Sequence, residues 1–251
     1  MSRRKHLRIF ASLVYGWRLT QKHFRTLLPG SILFYIPELA QRFGWQPDVA
    51  WDWAITAWHS VLACGLLWHA LQLSDQETRA SRQHEAILPA PGYLGRFISS
   101  TGLYWCLLLL GLWPALRVAS GQWWPADRGA AVAWLSKPWA WDGRQALLAL
   151  ETALAALPAG IWTIYGWFHG YYVADEGQNA WPSMVSSYHA VRGAFFRTLC
   201  FLVVIGLVNA AGYALWVVGV FVAFPVTLMA TTYVHLELKA QSSIKPKGRG
   251  R

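Results

Sequence analysis

The chain has 251 residues, of which 55% are hydrophobic and only 14% are charged. Soluble domains carry about 25% charged residues, so the composition excludes a disordered chain, a collagen-like repeat and a small disulfide scaffold, and it disfavours an ordinary cytosolic domain. The 17 tryptophans and the mean hydropathy of +0.27 are typical of a polytopic membrane protein.

The formal net charge of +10 is concentrated at the two ends of the chain. Residues 1–25 hold seven of the 22 Lys and Arg side chains, and the segment after Leu238 holds five. Basic ends beside apolar segments follow the positive-inside rule and attract anionic headgroups. We therefore expect a lipid bilayer, including its anionic headgroups, as a partner, and no nucleic acid; membrane-protein partners stay open.

Residues 1–25 predict a basic, amphipathic helix that lies in the headgroup plane. The next segment, residues 26–41, is a short membrane helix that spans with tilt, or alternatively a re-entrant or interfacial segment. Pro29 and Pro37 are expected to kink or stop it. A basic, flexible tail is predicted for residues 239–251.

Five further membrane helices follow from the long apolar runs, since a span needs about 20 apolar residues. The last run, residues 198–234, is uncharged and long enough for a hairpin with its turn near residues 209–212. Open strands would leave backbone groups unsatisfied in hydrocarbon, so these segments are helices. The five segments are 51–73, 97–117, 145–170, 198–212 and 214–236.

The positive-inside rule decides whether residues 26–41 span. Six spans with both termini cytoplasmic place 17 of the 22 Lys and Arg inside, whereas five spans leave 12 inside. The sequence therefore predicts an all-α, polytopic membrane protein, a single integral domain with about six transmembrane helices plus interfacial amphipathic helices.

The C-terminal third carries a series of acidic, serine, glycine and proline positions. It comprises Asp175-Glu176-Gly177, residues 180–187 (AWPSMVSS), Arg192-Gly193, Gly206, Asn209, Gly212, Gly219, Pro225 and Tyr233. With these motifs, residues 170–238 resemble bacterial six-helix inner-membrane proteins of unknown function, YciC-like proteins and the membrane domain fused to some glycerophosphodiester phosphodiesterases. Residues 43–145 match none of them.

The resemblance implies a membrane-embedded, non-catalytic domain of the bacterial inner membrane. We expect a scaffold, an accessory subunit or an envelope or lipid-homeostasis factor, with no catalytic residue and no metal site. Physically, the spaced glycines Gly206, Gly212 and Gly219 predict close helix packing. Cys64, Cys106 and Cys200 form no Cys-x-x-Cys pair and give no metal or redox motif.

A second interpretation is a small-molecule or ion transporter. Glu151 is the one formal charge in residues 145–174, and an intramembrane carboxylate is costly enough to suggest a function. In this interpretation Glu151, Asn209 and His59 line a polar path.

A third interpretation is a haem-handling or membrane redox protein that uses the Trp-rich outside segment. Trp139, Trp141 and Asp142 are similar to the end of the tryptophan-rich motif of cytochrome c maturation proteins. However, Leu135 stands where that motif begins with Trp-Gly, and residues 117–144 contain no histidine. An aromatic belt at the membrane interface is the simpler explanation, so no cofactor is expected and haem remains the alternative.

Overall fold

The computed structural model describes residues 8–42, 49–78, 91–122 and 143–243, and every element in these ranges is an α-helix. The predicted all-α class is therefore confirmed for the described residues. In chain order the helices are α1 (Ile9–Lys22), α2 (Phe24–Arg42), α3 (Val49–Thr78), α4 (Pro91–Gln122), α5 (Gly143–Gly166), α6 (His169–Glu176), α7 (Ala180–Arg192), α8 (Phe195–Ala214) and α9 (Trp216–Ser243).

Three helices among the described residues are long and apolar enough to cross a membrane. They are the segment Gly92–Ala115 in α4, Phe195–Ala214, which is all of α8, and Gly219–Gln241 in α9. Each has at least the length of about 20 residues that the hydrocarbon core requires. The chain is therefore compatible with a membrane protein that has three candidate spans.

The chain divides into two units. One unit comprises Met1–Gly102 with Tyr165–Arg251, and the other comprises Leu103–Ile164. In the first unit α9 is the central helix, since 61% of its candidate span is buried inside the protein, against 22% for α8. In the second unit α4 and α5 pack closely, because a Cβ placed on Gly111 would lie 3.1 Å from the Cα of Ala159.

Helices α2 and α3 form an antiparallel pair in the first unit. The Trp58 indole nitrogen donates to the Leu33 carbonyl at 3.0 Å, and Leu66 packs against Gly30 further along the pair. Pro29 and Pro37 were expected to kink or stop this segment; neither stops it, since α2 continues through both to Arg42. Neighbouring helices can compensate for the hydrogen bond that a proline removes.

Helix α1 packs on α9 with a face of mostly small and polar residues. Ser12, Gly16 and Thr20 are buried there with Leu19. A Cβ on Gly16 would lie 2.9 Å from the backbone nitrogen of Ala230, so the backbones approach as closely as glycine allows. Phe10, Val14 and Trp17 lie on the exposed side of α1.

Helices α8 and α9 form the expected tight hairpin, with the turn at Leu215 rather than at residues 209–212. Gly212 allows the approach, because a Cβ there would lie 2.7 Å from the Cβ of Ala223 and 2.9 Å from the Gly219 carbonyl oxygen. Gly206 was expected to act similarly, but a Cβ on it would meet nothing within 4 Å.

Candidate functional site

The site is built around the short helix α6, and the break between α5 and α6 fixes where α6 begins. Ser187 of α7 spans this break: its hydroxyl donates to the Tyr165 carbonyl at 2.6 Å and accepts from the Phe168 backbone nitrogen at 3.1 Å. A break inside an apolar region leaves backbone groups unpaired, so one buried serine satisfies one donor and one acceptor.

Gly177 ends α6 in the left-handed conformation, with φ +64°, and its nitrogen donates to the Val173 carbonyl at 2.9 Å. Glycine is favoured at this position because it carries no Cβ. Arg96 of α4 donates to the Gly177 carbonyl oxygen at 2.6 Å. The two contacts hold Asp175 and Glu176 in the last turn of α6.

Four charged or titratable side chains meet between α6 and the end of α9; we call them the acidic–basic cluster. One carboxylate oxygen of Asp175 accepts from His235 Nε2 at 3.3 Å and from Lys239 Nζ. Lys239 Nζ also lies 2.8 Å from a carboxylate oxygen of Glu176. Lys239 therefore bridges the two consecutive acids, and His235 reaches the same oxygen from inside the protein.

The histidine of the acidic–basic cluster is enclosed by aromatic rings. Its side chain is only 1% exposed. Tyr171 stacks on the imidazole at a centroid distance of 5.1 Å, Tyr172 meets it edge-on at 4.8 Å, and Phe168 lies at 6.2 Å. The rings exclude water from His235 and leave Asp175 as the neighbouring acidic group.

The cluster changes the titration of Asp175 and of the neighbouring Tyr172. Burial alone would raise the pKa of Asp175, but the hydrogen bonds from His235 and Lys239 and their charges lower that pKa below its ordinary value. Burial, followed by the negative charges of Glu176 and Asp175, raises the pKa of Tyr172 to about 12. Near neutral pH, Asp175 is therefore an anion beside a neutral phenol.

This arrangement can bind or release a proton, and it joins the end of α6 to the end of α9. Hydrogen bonds between charged partners are stronger than those between neutral partners, so the cluster also holds the ends of α6 and α9 together. Among the described residues, no three His, Cys, Asp or Glu side chains are grouped so that they could hold a metal ion.

The three predicted transport residues lie in different surroundings. Glu151 is exposed on α5, in the unit Leu103–Ile164. Asn209 joins α8 to α9: its amide oxygen accepts from the Thr227 hydroxyl at 3.3 Å. A ring nitrogen of His59 lies 2.9 Å from the Phe34 carbonyl oxygen, which joins α3 to α2.

The side chains of Asn209 and His59 thus make separate helix–helix contacts within the first unit. The predicted outside candidates Trp139, Trp141 and Asp142 fall outside the described residues.

The acidic–basic cluster was not predicted as a site. Asp175 belongs to the motif that carries the family resemblance, and His235 follows directly after the uncharged residues 198–234. A histidine directly after a long uncharged run is the sequence feature that could have indicated this site. Its partner lies 60 residues earlier, and nothing in the spacing of the two residues indicates that they meet.

No family model, curated protein or solved structure matches the chain. The resemblance of residues 170–238 therefore stays a prediction.

Proposed function

We propose that the chain is a multi-pass protein of the bacterial inner membrane, with six spans, both termini in the cytoplasm and no catalytic activity. It acts as a scaffold, an accessory subunit or an envelope or lipid-homeostasis factor. The family resemblance of residues 170–238 points to the same class.

The observation that carries this proposal is a convergence of four chain segments in the first unit. The six-span topology places residues 1–25, 74–96, 175–197 and 238–251 inside. Each contributes a residue to the contacts near the ends of α6 and α9: Arg8 lies against Glu237, Lys239 pairs with Asp175 and Glu176, and Arg96 binds Gly177. Segments on one side of a membrane can meet in this way.

The contact between Arg8 and Glu237 supports six spans over five. In the five-span topology residues 26–41 do not cross, so Arg8 lies inside while the segment after residue 236 lies outside. The close approach of Arg8 to Glu237 near the end of α9 therefore favours the six-span topology.

The exposed side of α1 supports a role at an anionic membrane surface. Phe10, Val14 and Trp17 form an apolar row, with Phe10 82% exposed. Arg18 and Lys22 are exposed beside it, one helical turn apart, and Arg25 follows at the start of α2. An apolar row next to a basic row is the pattern of helices that bind anionic headgroups.

Polar side chains that meet within the first unit make helix-to-helix connections. Ser100 and Ser183 share a buried hydrogen bond of 2.8 Å between α4 and α7, and Asn209 binds Thr227 across the hairpin. These contacts support a structural role for the polar residues of the bundle.

The lipids retained on purification test the proposal. We compare wild type with R18Q/K22Q/R25Q, using mass spectrometry of lipids that co-purify from bacterial membranes in mild detergent. The matched control, R117Q/R128Q/K137Q, removes three positive charges from the predicted outside. The ratio of anionic to zwitterionic lipid should fall only in the first variant.

An equal fall in both variants, or no fall in either, contradicts the binding of anionic lipid by α1. Steady turnover of a phospholipid or a soluble phosphodiester by the purified wild-type protein contradicts the non-catalytic role.

A further inference from the structure

Two segments of the first unit share one construction. In each, a short helix is followed after a brief break by a longer helix that pairs with the next helix of the chain. The tetrapeptide Phe-Arg-Thr-Leu lies at the start of the longer helix in both cases, at residues 24–27 and 196–199. We call α1 to α3 the N-terminal repeat and α7 to α9 the C-terminal repeat.

The breaks in the two repeats have the same backbone geometry. His23 ends α1 with φ −112° and ψ 22°, and Ala194 precedes α8 with φ −135° and ψ 20°. The carbonyl oxygen of each accepts from the backbone nitrogen four residues later, which belongs to Leu27 at 3.1 Å and to Thr198 at 2.8 Å. Positions 23 and 194 differ by 171, so the agreement in geometry falls almost on the offset of the shared tetrapeptide.

The hairpins of the two repeats also share a register. In an antiparallel helix pair, the sum of two contacting residue numbers is nearly constant along the pair. A Cβ on Gly30 of α2 would lie 2.7 Å from the Leu66 side chain of α3. A Cβ on Gly212 of α8 would lie 2.7 Å from the Cβ of Ala223 of α9. The sums are 96 and 435, so each helix of the second hairpin is displaced from the first by about 170 positions.

The faces of α1 and α7 match position by position at the offset of 171. The buried residues of α1 have buried equivalents in α7: Ser12, Gly16, Leu19 and Thr20 correspond to Ser183, Ser187, Ala190 and Val191. The exposed apolar row of α1, which we call the first row, has an equivalent in α7, the second row: Phe10, Val14 and Trp17 correspond to Trp181, Val185 and Tyr188. These six side chains are between 37% and 82% exposed, so α7 presents the same kind of surface as α1.

The second row lies beside the start of a candidate membrane span. Helix α7 ends at Arg192, and α8, which is a candidate span over its whole length, begins at Phe195. The Tyr165 ring contacts the Tyr188 ring at a centroid distance of 4.8 Å and the Phe195 ring at 5.2 Å. The row is therefore joined to the first residue of α8, and it lies near the level at which α8 enters the bilayer.

The charges around the second row complement a phospholipid surface. Arg192 is exposed, and its guanidinium carbon lies 6.0 Å from the centre of the Tyr188 ring, at the border of the row. Residues 180–192 contain no acidic residue. The first row is bordered in the same way by Arg18 and Lys22. Aromatic residues beside basic ones are typical of the headgroup region, where phosphate groups attract the cations.

We propose that the second row rests on the phospholipid of the inner leaflet as the structural equivalent of the first row, so that a duplicated unit holds one leaflet at two places. The row is joined to the start of a candidate span and bordered by a cation, and these two features favour lipid over a protein as the occupant. In the six-span topology α2 and α8 cross in the same direction, which puts both rows on one side. The inference rests on the proposed membrane location, but it does not depend on the binding of anionic lipid by α1.

Photochemical cross-linking in native membranes tests the contact. Val14→benzoylphenylalanine and Val185→benzoylphenylalanine place the same photoreactive group at equivalent positions of the two rows. Ala240→benzoylphenylalanine is the matched control, because Ala240 is also exposed but lies near the charged end of α9. After irradiation, mass spectrometry of the purified protein should show phospholipid adducts at positions 14 and 185 in similar yield, and severalfold less adduct at position 240.

Trp181 provides a second comparison in the Val185→benzoylphenylalanine background. Trp181→Gln should lower the phospholipid adduct at position 185 severalfold, because it removes the large apolar side chain one helical turn away. Trp181→Phe supplies the residue type of the equivalent Phe10 and should retain the adduct. The yield of protein in the membrane reports the folding of each variant.

An adduct with a protein at position 185, in place of phospholipid, overturns the inference, as does equal phospholipid labelling at positions 185 and 240. Insensitivity of the adduct to Trp181→Gln, with the protein yield unchanged, also overturns it. Phospholipid adducts at position 14 but not at position 185 contradict the second row alone. Their absence at both positions contradicts the membrane location in the proposed function as well, so the two failures are distinguishable.

Discussion

Asp175 and His235 are 60 residues apart in sequence, and His235 Nε2 lies 3.3 Å from a carboxylate oxygen of Asp175. The histidine is buried under three aromatic rings, while the carboxylate also accepts from Lys239 near the exposed end of α9. The pair therefore connects the buried interior of the first unit to the charged side chains at the ends of α6 and α9.

Removing the histidine should weaken this connection. His235→Ala leaves a partly buried carboxylate with one hydrogen bond fewer and opens a cavity among the rings, which we expect to cost about 2 kcal/mol of unfolding free energy. Thermal unfolding in detergent measures the change. His189→Ala, at an exposed position of α7, should change stability by less than about 0.5 kcal/mol. Equal effects of the two substitutions would contradict the role of His235.

The lowered pKa of Asp175 predicts the direction of the pH dependence. A carboxyl group whose folded pKa lies below its unfolded value stabilises the fold above the unfolded pKa, and that stabilisation is lost as the pH falls through the folded pKa. The contribution of Asp175 should therefore persist at neutral pH and disappear in acid, below the ordinary range of an aspartate.

Lys239→Met should shift that loss to higher pH. Without the ammonium group, burial raises the pKa of Asp175 with less opposition, and only His235 still donates to the carboxylate. Unfolding midpoints measured between pH 3 and 7 compare the variant with wild type, and Lys22→Met serves as a control for the lost charge. If the unfolding midpoints of Lys239→Met and wild type change with pH in parallel, this explanation is contradicted.

Ser187 should be required for the junction of α5 and α6. Ser187→Ala leaves the buried nitrogen of Phe168 without its hydroxyl partner, which we expect to cost about 1–3 kcal/mol. Ser99→Ala is the control, because Ser99 is exposed and, within the part of the chain that the structure describes, bonds only to the Gly95 carbonyl of its own helix. Amide exchange of residues 165–172 should accelerate in the first variant alone, and unchanged exchange there argues against the role of Ser187.

Gly16 should be required for the packing of α1 on α9. Gly16→Leu places a side chain where only 2.9 Å separates a Cβ from the backbone nitrogen of Ala230, so α1 should separate from α9. Limited proteolysis of residues 9–22 in detergent reports that separation. Gly65→Leu on α3, where a Cβ meets nothing within 4 Å, should remain as resistant as wild type. Resistance of both variants would show that α1 is held by other contacts.

The sequence predicts some levels of this structure better than others. Apolar runs indicate helices and their approximate ends, because length and hydropathy are local properties. The course of α2 through Pro29 and Pro37 depends instead on neighbouring helices. The hairpin turn at Leu215 is set by where Gly212 and Ala223 can touch, and this depends on the pairing of two helices.

The candidate site illustrates the same limit. Glu151 is conspicuous in the sequence because it is charged among apolar residues, and it lies exposed on α5. The local sequence around Asp175 and His235 does not indicate that the two residues meet, and only the fold brings them together. Long-range pairs of this kind leave no pattern of spacing that periodicity arguments could detect.

The sides of the membrane on which the two termini lie test the six-span topology most directly. One cysteine at a time, from Ser2→Cys or Arg251→Cys, is introduced into a C64S/C106S/C200S background. Each variant is treated with a membrane-impermeant maleimide on intact spheroplasts and after lysis. Six spans predict that both cysteines are protected in intact spheroplasts and labelled after lysis. Labelling of the cysteine at position 251 in intact spheroplasts, with the one at position 2 protected, would contradict the topology.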